Sequence, residues 1–119
     1  MIEPKKQDFT LYQGATWEHT FVVLDGETGL PVDVTDCTAT LQAREDVDDT
    51  VPVLNLTGEV GDSDGLIKFT VEPDMTVGEV WSAAGYDAEL AWPSPSTKVD
   101  KLGFGKFKLV REFTRETAP

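Results

Sequence analysis

The sequence has very few of the side chains on which catalysis and metal binding usually depend. It contains a single histidine, His19, and a single cysteine, Cys37. No glycine-rich phosphate loop is present, and no cluster of residues has metal-ligand spacing. A lone cysteine excludes an internal disulfide, and within an alternating apolar segment it is typical of a small buried hydrophobe. We therefore predict that the chain is not an enzyme and that it has no cofactor and no metal.

Long apolar runs are also missing. No segment approaches the roughly 18 residues that a membrane-spanning helix needs. Residues 1–6 lack the apolar stretch of a secretory signal. These features predict a protein that is made and kept in the cytosol, or assembled there into something larger, and that has no contact with a membrane.

Basic residues are scarce and unevenly placed. The chain has 119 residues, with 10 Lys and Arg against 22 Asp and Glu, a net charge of −12. This balance disfavours nucleic acid, because binding there depends on cations that neutralise phosphates. Residues 25–97 hold 16 acidic and two basic residues, whereas residues 98–115 hold six basic and two acidic ones. The basic segment is either the solvated face of two strands or a docking surface.

On the docking hypothesis, the basic C-terminal strands of one copy meet an acidic loop of the next copy. The candidate interaction residues are Lys106, Lys108, Arg111 and Arg115 on the basic side, Asp46, Asp48 and Asp49 on the acidic side, and Trp92 in a proline-rich loop. The tryptophans offer two interpretations: at inward-alternating positions they are core residues, and exposed they would form a sugar-stacking or interface strip.

Short alternating segments bounded by turns fill the chain from Phe9 to Phe113. Clear examples are Thr38–Arg44, Leu66–Val71 and Tyr86–Trp92, in which apolar and polar residues alternate. Strands are also predicted at residues 31–35, 98–102 and 106–113, the last two separated by a bend at 103–105. This spacing predicts an all-β fold, a single antiparallel, Ig-like β-sandwich of about eight to nine strands.

The segments outside the predicted strands complete the expected organisation. Residues 1–7 are predicted to be a polar N-terminal arm, residues 8–115 the sandwich domain, and residues 116–119 a C-terminal tail. One short helical turn is expected near residues 76–84, because Thr76 and Glu79 fit a capping box. The Asp62–Gly65 segment resembles part of a calcium loop, but the twelfth position from Asp62 is Pro73, so a hairpin turn is predicted.

The order of these signals carries a family resemblance. Its elements are Gln13-Gly14-Ala15-Thr16 before a long strand, the segment Pro31-Val32-Asp33-Val34-Thr35, a strand at 37–44 that ends in arginine, Gly85-Tyr86-Asp87-Ala88-Glu89-Leu90, and a closing strand at 105–113. In this order the chain resembles the small β-sandwich proteins encoded among the structural genes of tailed bacteriophages and prophages. It is also similar to the N-terminal sandwich domain of some phage baseplate and receptor-binding-protein scaffolds.

The resemblance implies a non-enzymatic virion protein, assembled in the host cytoplasm. It implies a tail, baseplate or adaptor subunit present in multiple copies in a symmetric assembly, docked onto other phage structural proteins. A capsid decoration protein is the alternative within the same class. A carbohydrate-binding or adhesion module is the alternative from another class, and an exposed aromatic strip would favour it.

Overall fold

The computed structural model describes residues 4–94 and 97–113. Apart from a 3₁₀ turn at Pro73–Met75, its regular elements are all strands. The strands of this part of the chain are β1 (Lys5–Lys6), β2 (Phe9–Tyr12), β3 (Trp17–Val22), β4 (Thr38–Arg44), β5 (Leu54–Thr57), β6 (Glu59–Val60), β7 (Leu66–Val71), β8 (Ala83–Ala91) and β9 (Val99–Val110). Within these ranges no helix has the length and apolarity to cross a membrane.

The strands form two sheets. The large sheet has six strands in the order β1-β9-β8-β4-β5, with β2 also paired to β9, and the small sheet has the order β3-β7-β6. All pairings are antiparallel except those of β1 and β2 with β9, which are parallel. The all-β sandwich predicted from the sequence is therefore confirmed, with two parallel strand pairs that the alternation pattern did not indicate.

The core lies between the two sheets and follows from strand alternation. In β4, Ala39, Leu41 and Ala43 are buried while the intervening polar residues face outward. Both β4 and β7 have the bounds that the sequence predicts. Aromatic rings join the sheets: Trp17 of the small sheet packs edge-on against Phe107 of the large sheet, with ring centroids 5.3 Å apart. Contacts of this kind stabilise the sandwich beyond the area they bury.

The prediction of a polar N-terminal arm is wrong for the described residues 4–7. Lys5 and Lys6 pair in parallel with Gly103 and Phe104, and the Gln7 amide donates to the Phe104 carbonyl at 2.9 Å. This segment therefore extends the large sheet along the edge of β9. Residues 1–3 and the predicted tail at 116–119 lie outside the described residues.

The one short helical turn, expected near residues 76–84, is present but lies just before that range, at Pro73–Met75. The 3₁₀ turn ends at Met75, and β8 already begins at Ala83. Gly78 has a φ of +80°, a left-handed conformation that a right-handed helix does not accommodate. The Thr76 hydroxyl, expected to cap a helix, instead accepts the Gly14 amide at 2.8 Å. The segment is thus a loop held by contacts to the turn after β2.

Several strand boundaries differ from expectation; β8, for example, begins at Ala83 and not at Tyr86. A bulge or bend is expected at residues 103–105, and β9 is not interrupted there but runs over 12 residues. The register with β8 shifts between Ala88 and Glu89, which places the irregularity at Leu102, next to the expected segment. Residues 31–35 contribute only an isolated bridge, between Leu24 and Pro31.

Candidate functional site

The outer face of the large sheet brings together cations from two strands. Along β9, the exposed Phe104, Lys106 and Lys108 alternate with inward-facing residues such as Phe107. In the register of the sheet, Lys106 lies beside Gly85 of β8, and Gly85 lies beside Arg44 of β4. Arg44, Lys106 and Lys108 therefore share one face of the sheet, and we call these three residues the basic patch.

Gly85 leaves a depression in the middle of the basic patch. A Cβ placed on Gly85 would have only one heavy-atom neighbour within 4 Å, the Gly105 carbonyl oxygen at 3.9 Å, so the space above it is open. A second depression lies on the other side of Lys106, with Thr10, Ala83 and Lys108 among its lining residues. The two shallow hollows flank the Lys106 side chain, which belongs to the lining of both.

The cations of the patch differ from their neighbour Lys101 in how they are paired. Lys101 contacts the carboxylates of Asp87 and Glu89, and its pKa is raised, chiefly by the hydrogen bond to Glu89. Among the described residues, Lys106 and Lys108 have no carboxylate within ion-pair distance. The rims of the hollows also carry the carboxylates of Asp8, Glu45 and Asp87.

Arg44 is held in place by neutral acceptors. Its Nε donates to the Asp49 carbonyl at 2.8 Å, and its Nη1 donates to the Gln42 side-chain oxygen at 2.9 Å. Because these acceptors carry no formal charge, the guanidinium charge stays uncompensated by an ion pair within the described ranges. The alternation of Thr38–Arg44 predicts Arg44 on the outward face of its strand, whereas its position near Lys106 depends on the order of the strands in the sheet.

The acidic loop predicted as the docking counterpart follows Arg44 directly and lies at the same end of the large sheet as the basic patch. Two of its carboxylates accept backbone amides within the loop: Asp49 from Asp46 at 3.1 Å, and Asp46 from Asp48 at 3.0 Å. The two predicted partner surfaces are thus neighbours on one copy, which the sequence did not indicate.

The other predicted interaction residues do not join the basic patch. Arg111 follows the end of β9 and does not share its outward alternation. Trp92 lies beyond the opposite end of β8, where its ring nitrogen donates to Asp100 at 2.7 Å and the Lys98 ammonium lies 4.6 Å from its ring centroid. Arg115 lies outside the described residues.

Most aromatic side chains pack in or against the core. Trp81 and Tyr86 are buried, and Trp17 and Trp92 are half-buried and pack against the core cluster. The exposed rings among the described residues are those of Tyr12, Phe104 and Phe113. The aromatic strip that would favour a sugar-binding module is therefore not formed by the tryptophans.

The single histidine, His19, and the single cysteine, Cys37, are both packed against apolar side chains. The His19 ring lies 4.7 Å from Phe9 and 4.7 Å from Phe21, and its pKa is lowered by burial and secondarily by Lys5. Cys37 is buried, and burial raises the pKa of its thiol, with Asp33 and Asp36 adding to the effect. A raised pKa keeps a thiol protonated and therefore weakly nucleophilic.

In the segment that resembles a calcium loop, the Asp64 carboxylate accepts hydrogen bonds from the backbone of its own turn. The Asp64 side chain accepts the amides of Asp62 and Leu66, both at 3.2 Å. In the part of the chain that the structure describes, no group of three or more His, Cys, Asp or Glu side chains is placed to hold a metal ion. The best-defined surface feature is therefore the basic patch, with Gly85 at the bottom of its central hollow.

The chain matches no model of a protein family, and no curated protein matches it.

Proposed function

We propose that this chain is a non-enzymatic virion structural protein of a tailed bacteriophage, an adaptor subunit of the tail or baseplate that docks onto neighbouring virion proteins. The observation that carries the proposal is the basic patch. It presents Arg44, Lys106 and Lys108 on the outer face of a six-stranded sheet in a chain whose net charge is −12. The signal order that resembles phage sandwich proteins supplies the virion context.

A sheet face suits docking better than a loop does. The ladder of hydrogen bonds fixes the backbone of paired strands, so docking on this face orders less backbone than docking on a loop does. Lys106 and Lys108 of β9 and the central glycine of β8 belong to one continuous ladder. Charged groups arranged in this way favour a complementary partner and disfavour partners of like charge.

The alternatives have weaker support. A capsid decoration protein would use the same patch, and the tail or baseplate position is preferred on resemblance alone. A carbohydrate-binding module would require its aromatic rings at the surface, whereas Trp81 and Tyr86 are buried.

The test is mass spectrometry of purified particles from the source phage or an induced lysogen. We expect peptides of this chain in density-purified particles, in a fixed ratio to the other structural proteins. Their absence from intact particles, with the chain present in the cell lysate, would overturn the proposal.

A further inference from the structure

The end of the sandwich opposite the basic patch is strongly acidic. Residues 25–36 and 61–65 contain no basic residue, and we call their carboxylates the acidic end: Asp25, Glu27, Asp33, Asp36, Asp62 and Asp64. The two segments are joined, because the Val34 amide donates to the Asp62 carbonyl at 3.0 Å. The acidic end is therefore one surface built from two loops.

The acidic end and the basic patch lie at opposite ends of β4. Residues 33–36 closely precede the first residue of that strand, Thr38, and Arg44 is its last residue. A strand rises about 3.3 Å per residue, so the two surfaces are roughly 20 Å apart along β4. At this distance one copy cannot satisfy its own basic patch with its own acidic end.

We infer that copies of this chain associate head to tail, with the acidic end of one copy seated on the basic patch of the next. The inference rests on the proposed function in one respect only, since a virion subunit must assemble in several copies. Two different, complementary surfaces on one chain produce a heterologous contact, and such contacts generate rings or open filaments.

The shape of the patch fits a protruding acidic loop. Lys106 and Arg44 stand on either side of Gly85, two strand spacings or about 10 Å apart at the backbone. The missing side chain at Gly85 opens the space between the two cations. A carboxylate entering this space lies within reach of both long side chains, and the exposed Phe104 ring borders the same hollow. The carboxylates of Glu45 and Asp87 also line it, so the contact requires Arg44 and Lys106 to outweigh their repulsion.

The acidic end fits this role better than the loop at 46–49. That loop adjoins the basic patch of its own copy, and its Asp46 and Asp49 carboxylates already accept loop amides. At the acidic end, the Glu27 side chain has no hydrogen bond within the described part of the chain, and that of Asp62 has only a long one, 3.5 Å from the Thr35 hydroxyl. These two carboxylates are the ones most available to a neighbouring copy.

The test is sedimentation velocity on the purified full chain over a concentration series. We expect the wild type to self-associate. The double variants K106E/K108E and E27K/D62K should each associate about tenfold or more weakly, since each places like charges together. Gly85→Val should weaken association without any change of charge, because its side chain occupies the hollow. The control K5E/K68E, which changes the same number of charges outside both surfaces, should associate as the wild type does.

The decisive experiment mixes the two charge-reversed variants. K106E/K108E has an acidic patch and E27K/D62K a basic end, so the mixture should restore association and yield alternating assemblies. A monomeric wild type at every concentration, or a mixture that fails to assemble while both variants stay folded by circular dichroism, would overturn the inference. A monomeric wild type found in particles would overturn head-to-tail association and leave the proposed function standing. Self-association of a chain that is absent from particles would overturn the proposed function and leave head-to-tail association standing.

Discussion

The hydroxyl of Tyr86 donates a hydrogen bond to the backbone carbonyl of Gln7, 79 residues earlier in the chain. Gly105 of β9 pairs with Tyr86, and the tyrosine reaches across it to the N-terminal segment. Burial raises the pKa of Tyr86 to about 12, with Asp8 adding to the effect, so the hydroxyl remains a donor at neutral pH. This contact fastens the parallel N-terminal strands to the sheet that carries the basic patch.

Removing this hydroxyl should destabilise the fold. Tyr86→Phe leaves the partly buried Gln7 carbonyl without its donor, and we expect a loss of about 1–2 kcal/mol in the free energy of unfolding. Urea denaturation measures the loss. Tyr12→Phe, at a tyrosine that is 62% exposed, is the matched control and should change stability little. Equal effects of the two changes would contradict the role of Tyr86.

The two glycines beside Tyr86 should respond oppositely to alanine. A Cβ on Gly105 would overlap the Gln7 carbonyl oxygen, so Gly105→Ala should cost about 1–3 kcal/mol. Gly85 faces open space, and Gly85→Ala should be neutral or stabilise the strand by about 0.5–1 kcal/mol. Thermal unfolding of both variants provides the comparison. A stable Gly105→Ala protein would mean that Gln7 does not lie against β9.

The Thr76 hydroxyl should be worth more than that of an ordinary strand threonine. It accepts the Gly14 amide, while the neighbouring Gln13 side chain donates to the Thr76 carbonyl at 3.0 Å. Thr76→Val leaves the amide unpaired, and we expect a loss of about 1–3 kcal/mol in unfolding free energy. Thr57→Val, on an exposed strand position, is the control. If both variants unfold at the same urea concentration, the loop at 76–82 is not anchored as described.

The stability of the protein should fall as the pH drops through the titration range of His19. Its pKa in the folded state is lowered by burial and by Lys5, so the unfolded chain binds the proton more readily. This contribution to stability is complete above the unfolded pKa of about 6.5 and is lost as the pH falls below it. Urea midpoints between pH 7.5 and 5.5 should decline in the wild type and decline less in His19→Gln. Parallel pH profiles would contradict the assignment to His19.

The parts of the fold that the sequence predicted are those governed by alternation. Thr38–Arg44 and Leu66–Val71 have one buried face each, so period-two patterning fixes their bounds and their inward residues. The first strand, Lys5–Lys6, escaped prediction, because it pairs with a strand almost a hundred residues away and carries no apolar pattern of its own. No helical turn forms within residues 76–84, because Thr76 serves the turn at Gly14, a tertiary contact that overrides the local capping signal.

The candidate site was predictable only in part. The outward position of Lys106 and Lys108 follows from the alternation of β9, and both were predicted as interaction residues. These two lysines lie near Arg44 because the strands follow the order β9-β8-β4, which the alternation pattern alone does not determine. The hollow above Gly85 also depends on how the strands are paired. A glycine in a strand by itself indicates only a weak or bulged position.

The most direct test of the central claim, that the outer face of the large sheet is a docking surface, is a cryo-electron microscopy map of the purified particles. The account predicts that a neighbouring protein covers Lys106 and the hollow above Gly85 in each copy of the chain. A map in which this face is open to solvent in every copy, with the chain held through other surfaces, would contradict it.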